Sequence, residues 1–329
     1  MSVSSLTATT ARWSALRLRQ TTHLRDLCAE TSFTTAHLVQ PIFVVEGLTG
    51  REAIPGLDDN YRFGIDSVID VIGADVAQGV RHFLLFAVPA KSSSIAYGAF
   101  AARVVEAIKR RYASEIHLWV DICLCSSTED GHCAISKGDH QIDLDATLHA
   151  LASMTTRVAD AGADGISPSD MMDGRTARLR SGLDDGGHPS VPIMSYSTKF
   201  ASRFYGPFRS AAGSAPRHGS REHYQIDVRS RTDAIGSSVR CANEGADLLM
   251  VKPGLTSLDL IMPIREATGK LVGAYQVSGE YAGLCALGRA GLADFDAALI
   301  ETWQVFRRAG AAYIITYGAR RARSLGVPV

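Results

Sequence analysis

ADLLMVKP, residues 246–253, is an apolar run that ends in a charge. Leu248 to Val251 present no polar face, as expected of a strand covered on both sides of its sheet. Lys252 then falls where an unpaired ammonium would be costly to bury. Seven other runs share this build: HLVQPIFVVEG (37–47), HFLLFAV (82–88), IHLWVDICLC (116–125), ADGISPSD (163–170), VPIMSYS (191–197), LVGAYQVSG (271–279) and AYIITYG (312–318). Helical stretches lie between them at Ser67–Gln78, Ala99–Tyr112, Leu144–Ala161, Ala234–Glu244, Leu258–Thr268 and Asp294–Arg308. Three are followed by AGA or EGA, where Gly162, Gly245 and Gly310 suit the position just past a helix end. Eight strands alternating with helices predict an α/β fold, a (β/α)8 TIM barrel. The alternative is an open doubly wound sheet. It loses support because no G-x-G-x-x-G follows the first strand and the phosphate loop of NTPases is absent. The expected organisation is an extended N-terminal arm (1–35) making oligomer contacts, then one catalytic barrel (36–329).

A barrel places its chemistry where strands end. The third strand ends at Asp121, Cys123 and Cys125, and the fourth at Ser169 and Asp170. Lys199 follows the fifth strand and Lys252 ends the sixth, while the seventh and eighth end at Ser278 and Tyr317. Two lysines in one barrel mouth depress each other's pKa, and desolvation pushes the same way. A neutral amine attacks ketones to form a Schiff base. Against this stands the plainer reading of solvated charges or carboxylate partners at strand ends. Cys123, Cys125 and Cys133 have the spacing C-x-C-x7-C. Residues two apart in a strand share a face, which suits joint ligation of a metal. Three thiolates would leave a zinc with an open position, whereas His132 as a fourth ligand would close it. Buried spectator thiols are the bland alternative, and Cys28, Cys241 and Cys285 read as ordinary buried residues. Arg203, Arg209, Arg221 and Gln225 could grip a carboxylate.

The 329 residues are 46% hydrophobic and 21% charged, with zero formal net charge, so nothing suggests a nucleic-acid or anionic membrane partner. No apolar run is long enough for a transmembrane helix, and no secretory leader is visible. A cytoplasmic enzyme is expected. The first 25 residues lack Asp and Glu, are rich in Ser and Thr, and carry Arg12, Arg17, Arg19 and Arg25. They read as a basic arm packing on a neighbouring subunit, or as a transit peptide.

Seven stretches together resemble the porphobilinogen synthase (5-aminolevulinate dehydratase) family: QPIFVVEG, VDICLC…GHC, AGADGISPSDMMDGR, MSYSTKFASRFYGPFRSAAGSAP, EGADLLMVKPG, YQVSGEYAGL and YIITY. The resemblance implies a (β/α)8 barrel with an arm, assembled as a homo-octamer of arm-exchanging dimers. It implies condensation of two 5-aminolevulinate molecules to porphobilinogen with loss of two waters. Lys199 and Lys252 would form the Schiff bases of the A-side and P-side substrates, and Cys123, Cys125 and Cys133 would hold zinc, with no organic cofactor. Asp121 and Asp170 would move protons beside Ser169. Arg209, Arg221 and Gln225 would hold the A-side carboxylate, and Ser278 with Tyr317 the P-side one. Phe204 and Tyr205 would line the pocket, and Met171–Asp185 would close as a lid.

The sequence departs from the family pattern at several places. Ser127 and Asp130 stand where a tyrosine and a histidine are usual, and Leu144 replaces an asparagine. Gly219–Ser220–Arg221 lacks an aspartate, and Asp227–Ser230 differs from the usual run after Gln225. Ser237 stands where a glutamate helps bind an allosteric magnesium, so that ion is not expected, and Arg240 could supply the charge instead. A paralogue condensing a modified amino ketone, or a zinc-stabilised pseudoenzyme subunit, are the other readings. The pseudoenzyme fits poorly with both lysines, the thiols and the carboxylate-binding set being present together.

Overall fold

In a computed structural model, residues 14–90, 92–137 and 141–329 are described. The arm's first residues, including Arg12, lie outside that range. The chain divides into two compact units, Met1–Ser32 and Phe33–Val329. The first holds short helices at Ser14–Arg17 and Thr22–Leu27. Thr21 caps the second of these by accepting the Leu24 N–H at 3.1 Å. Cys28, expected to be buried, is instead exposed, because it caps the end of a helix that buries no residue of its own.

The second unit contains eight parallel strands: β1 Leu38–Val45, β2 His82–Val88, β3 His117–Ile122, β4 Gly165–Pro168, β5 Met194–Lys199, β6 Leu248–Lys252, β7 Leu271–Tyr275 and β8 Ile314–Ile315. Their spatial order is β4-β3-β2-β1-β8-β7-β6-β5. A parallel bridge between Ile166 and Ile193 brings β4 back to the start of β5, nearly closing the ring. This is the TIM barrel that the strand-and-helix alternation predicts. Longer helices lie between successive strands: α1 Ile65–Ala77, α2 Ser94–Tyr112, α3 Leu144–Asp160, α4 Arg175–Asp185, α5 Arg231–Asn243 and α6 Leu258–Thr268, with two, α7 Ser278–Arg289 and α8 Phe295–Arg308, between β7 and β8, and a short helix Gly206–Ala211 between β5 and α5. Apolar stripes such as Val68, Ile72 and Val76 of α1 face the sheet. Gly162, Gly245 and Gly310 adopt φ of 96°, 101° and 98° just past α3, α5 and α8, as the AGA and EGA triplets predict. Among the described residues no helix is long and apolar enough to cross a membrane.

Several boundaries move. β3 stops at Ile122, because Ser127 and Thr128 both turn their N–H back to the Leu124 carbonyl. Cys125 therefore lies in a turn and Cys123 in the link that leads to it, so the shared-face argument from a strand does not apply to them. Ser278 opens α7 rather than closing β7, and Lys199 is the last residue of β5 rather than a residue after it. The segment expected as a lid contains α4, whose Leu179 and Leu183 are fully buried. Two small antiparallel ribbons, Arg51–Ala53 with Tyr61–Phe63 and Ser136–Lys137 with Gln141–Ile142, have no counterpart in the sequence reading.

At the opposite mouth of the barrel, His82 and His117 are register partners at the starts of β2 and β3. Burial, with His117 adding to it, lowers the His82 pKa from 6.5 to about 4. Between those values the unfolded chain binds the proton first, so stability falls as pH drops through this window. The loss is expected to be at most about 2 kcal/mol between neutral pH and about pH 5. Denaturant titrations of His82→Gln should show that part of the profile flattened, and an unchanged acid slope would discard the assignment.

Candidate active site

Lys199 and Lys252 face each other across one strand pair, being register partners at the ends of β5 and β6. Both are nearly buried, with 5% and 4% exposure. The Lys199 Nζ donates to the Ser169 carbonyl. It lies 5.7 Å from the centre of the Tyr196 ring, and the Lys252 Nζ lies 4.8 Å from the same ring. Lys252 is further enclosed by Tyr275 at 4.1 Å, Phe208 at 5.0 Å and Tyr205 at 5.3 Å.

Four aromatic faces would favour a cation by about 0.5–2 kcal/mol at each good contact. Taking an ammonium out of water costs several kcal/mol, and the Lys199 charge opposes a second one. Desolvation wins, and the Lys252 pKa lies well below the usual lysine value. Its amine is the nucleophile-ready form.

Two carboxyl groups share this mouth. Burial raises Asp121 to about 6 while Lys199 pulls it back, and the Tyr97 hydroxyl fixes its backbone carbonyl at 2.6 Å. Asp170, fully buried, is also raised to about 6 by desolvation. Its Oδ1 accepts the Met172 N–H at 2.7 Å, and the buried Arg175 guanidinium lies 3.8 Å from Oδ2.

The thiol sulfurs of Cys123, Cys125 and Cys133 all lie within 4.8 Å of one another. Zn–S bonds of about 2.3 Å would set tetrahedral S–S spacings of about 3.8 Å, so the cluster fits a zinc-sized ion with modest contraction. Hydrogen bonds from its two neighbours hold the Cys133 thiol well below its ordinary pKa, and Arg221 helps. His132 turns away to other partners: Nδ1 meets the Tyr224 hydroxyl at 3.1 Å and Nε2 the His218 carbonyl at 2.9 Å. The same Tyr224 hydroxyl accepts the Cys133 N–H at 3.2 Å.

Arg209, Arg221 and Gln225 line one cavity of about 250 Å³ together with Arg203 and Ser202. Arg221 Nη2 donates to the Gly131 carbonyl at 2.7 Å, tying this cavity to the loop that carries Cys133. Both polar side-chain atoms of the buried Gln225 lack a hydrogen-bond partner, as expected of a group meant for a ligand. Arg203 is splayed outward, 3.7 Å from Glu222.

On the other side, Ser278 Oγ accepts the Phe208 N–H at 3.0 Å. The Tyr317 hydroxyl lies 3.4 Å from that of Tyr275, the ring nearest Lys252. Tyr205 is buried, and its hydroxyl reaches the Lys252 carbonyl at 3.2 Å. Phe204, by contrast, is 44% exposed at the rim.

A family model for delta-aminolevulinic acid dehydratase matches residues 13–325. The chain belongs to that family. The Halalkalibacterium halodurans delta-aminolevulinic acid dehydratase is 38% identical over 309 residues, 92% of this chain and 94% of that one. The Methanothermus sociabilis enzyme is 39% identical over 306 residues, 92% and 95%. The Toxoplasma gondii delta-aminolevulinic acid dehydratase, solved with the product porphobilinogen, superposes with a TM-score of 0.90 at 33% identity. It covers 97% of this chain and 92% of that one.

Within this dehydratase barrel, Ser237 and Arg240 each have a protein partner. Ser237 donates to the Ser197 carbonyl at 2.7 Å, and Arg240 pairs with Asp173 at 2.9 Å. Two buried groups escaped the sequence reading. Arg175 came only as a letter in a matching stretch, yet it braces Asp170. Glu280 sits behind Ser278 with no flanking charge pattern to announce it.

Proposed function

We propose that the protein condenses two molecules of 5-aminolevulinate to porphobilinogen, with Lys199 and Lys252 as Schiff-base lysines. The observation that carries this is the lysine pair itself: register partners, both buried, one with its pKa pushed well down by desolvation inside an aromatic cage. A solvated strand-end charge would have neither the burial nor the partner. The relatives' printed names and the bound product in the Toxoplasma structure support the same substrate and product.

In this reading the Lys252 amine attacks the ketone carbon of the P-side molecule. A C–N bond forms, the ketone oxygen gains protons, and water leaves. Lys199 does the same for the A-side molecule, which accounts for the two waters lost. Two imines hold both substrates in one orientation, so the bimolecular condensation becomes effectively intramolecular. A C–C bond and a C–N bond then form between the two substrate molecules, the C–N bonds to Lys252 and Lys199 break as protons from the substrates return to the two nitrogens, and both amines are released. Asp170, with a pKa of about 6, can give or take a proton near neutrality. Asp121 and Ser169 sit beside Lys199, and Phe204 with Tyr205 border the pocket. Arg209, Arg221 and Gln225 receive the A-side carboxylate, and Ser278 with Tyr317 the P-side one. Cys123, Cys125 and Cys133 would hold a zinc ion that supplies a Lewis acid at this mouth.

The N-terminal residues 1–35 serve, in this proposal, as an arm burying leucines such as Leu18 and Leu27 against a second copy in a homo-oligomer. Both are exposed in the single chain, at 54% and 80%. The test of the function is direct. Purified protein supplied with 5-aminolevulinate should form a pyrrole, and a chelator should suppress it. No pyrrole under either condition rejects the condensation, and chelator-insensitive turnover rejects the zinc.

A further inference from the structure

Glu280 is a buried carboxylate with no part in the chemistry above. It is 6% exposed and lies in the first turn of α7, the helix that Ser278 opens. Its Oε2 accepts the Val277 N–H at 2.7 Å, as a glutamate at this helix position does when it caps. Capping needs only that oxygen. The other, Oε1, crosses to a different loop and accepts the Leu255 N–H at 2.8 Å. The backbone of Gly254 and Thr256 lies near enough to favour its charge as well, though the Gly254 N–H itself donates to the Tyr275 carbonyl at 2.7 Å. Among the described residues no salt bridge includes Glu280, so backbone N–H groups meet its charge. Burying a carboxylate this deeply is unfavourable, and the pKa rises to about 7. That cost is out of proportion to a helix cap.

The two segments held by this one side chain are functionally paired. Leu255 lies three residues after Lys252, and Val277 immediately precedes Ser278. We infer that Glu280 is a positioning residue. It fixes the span between the Lys252 amine and the Ser278 hydroxyl, so that one substrate is gripped at its carboxylate while its ketone meets the amine. This rests on the assignment of Lys252 and Ser278 to a single P-side molecule.

Glu280→Gln keeps the side-chain volume but turns an NH2 toward one of the two backbone donors, releasing one segment. The test is borohydride trapping of 5-aminolevulinate over a concentration series, with adducts at each lysine quantified by peptide mass spectrometry. The concentration giving half-maximal adduct at Lys252 should rise about tenfold or more, while that at Lys199 stays unchanged. Glu280→Asp, which draws the charge back by one methylene, should show the same selective rise and serves if the Gln variant does not fold. Equal rises at both lysines, or none, would reduce Glu280 to a structural cap and overturn the inference. Wild-type protein giving no Lys252 adduct would instead overturn the P-side assignment, and the positioning role with it.

Discussion

Lys252→Met is expected to abolish porphobilinogen formation while leaving the barrel as stable as before, or more so. The loss should be at least about ten-thousand-fold, roughly 5 kcal/mol of barrier. Methionine fills the space between Tyr275, Tyr196, Phe208 and Tyr205 but has no amine to attack a ketone. The stability side follows from the direction of the Lys252 pKa. A desolvated amine opposed by Lys199 is a cost that the folded state carries for function. A sulfur among aromatic rings removes that cost and is itself favourable there. The melting temperature should hold or rise by about 2 °C, read beside a pyrrole assay. A variant that melts far lower would show Lys252 to be a packing residue. One that still turns over would remove it from the chemistry.

How far this pair was legible differs by link. ADLLMVKP marks its strand because four apolar residues leave no face for water, and the strand does end at Lys252. That Lys199 sits directly opposite was not legible. The register between β5 and β6 shifts between Leu249 and Val251, and such an irregularity belongs to long-range pairing rather than to either segment. β7 was read too long for a local reason. Val277 is an unusual N-cap with no side-chain acceptor, so nothing polar marked the start of α7. α4 was missed because its fully buried leucines, Leu179 and Leu183, are few beside its many polar residues, too thin a stripe to reveal a period.

The thiols are an instructive partial success. C-x-C-x7-C correctly brought three sulfurs together, but by the wrong route. The strand ends before them, and a turn does the gathering, with Ser127 donating its hydroxyl to the Leu124 carbonyl at 3.0 Å. Ser127 and Asp130, the departures from the family pattern, are thus part of the turn's own hydrogen bonding. Asp130 Oδ1 accepts the His132 N–H at 2.9 Å, which helps direct that histidine away from the cluster.

That geometry sets the second large expectation: Cys133→Ser should empty the metal site. The proposed zinc needs thiolates, and Cys133 is the thiol already pulled toward ionisation by Cys123, Cys125 and Arg221. It also comes from a different part of the loop than the other two, held by Tyr224 through its N–H. Removing it leaves two adjacent sulfurs and no enclosing third. Loss of a partner that only orients a ligand costs 10–100-fold in affinity, so loss of the ligand itself should exceed about a hundredfold. Metal analysis after gel filtration should find about one zinc per chain in the wild type, by the single-cluster reading, and almost none in the variant. Cys285→Ser is the matched control, since that thiol is buried but outside the cluster. Its zinc content should match the wild type. Undiminished zinc in Cys133→Ser would move the metal off these three sulfurs, and with it the open Lewis-acid position beside the lysines.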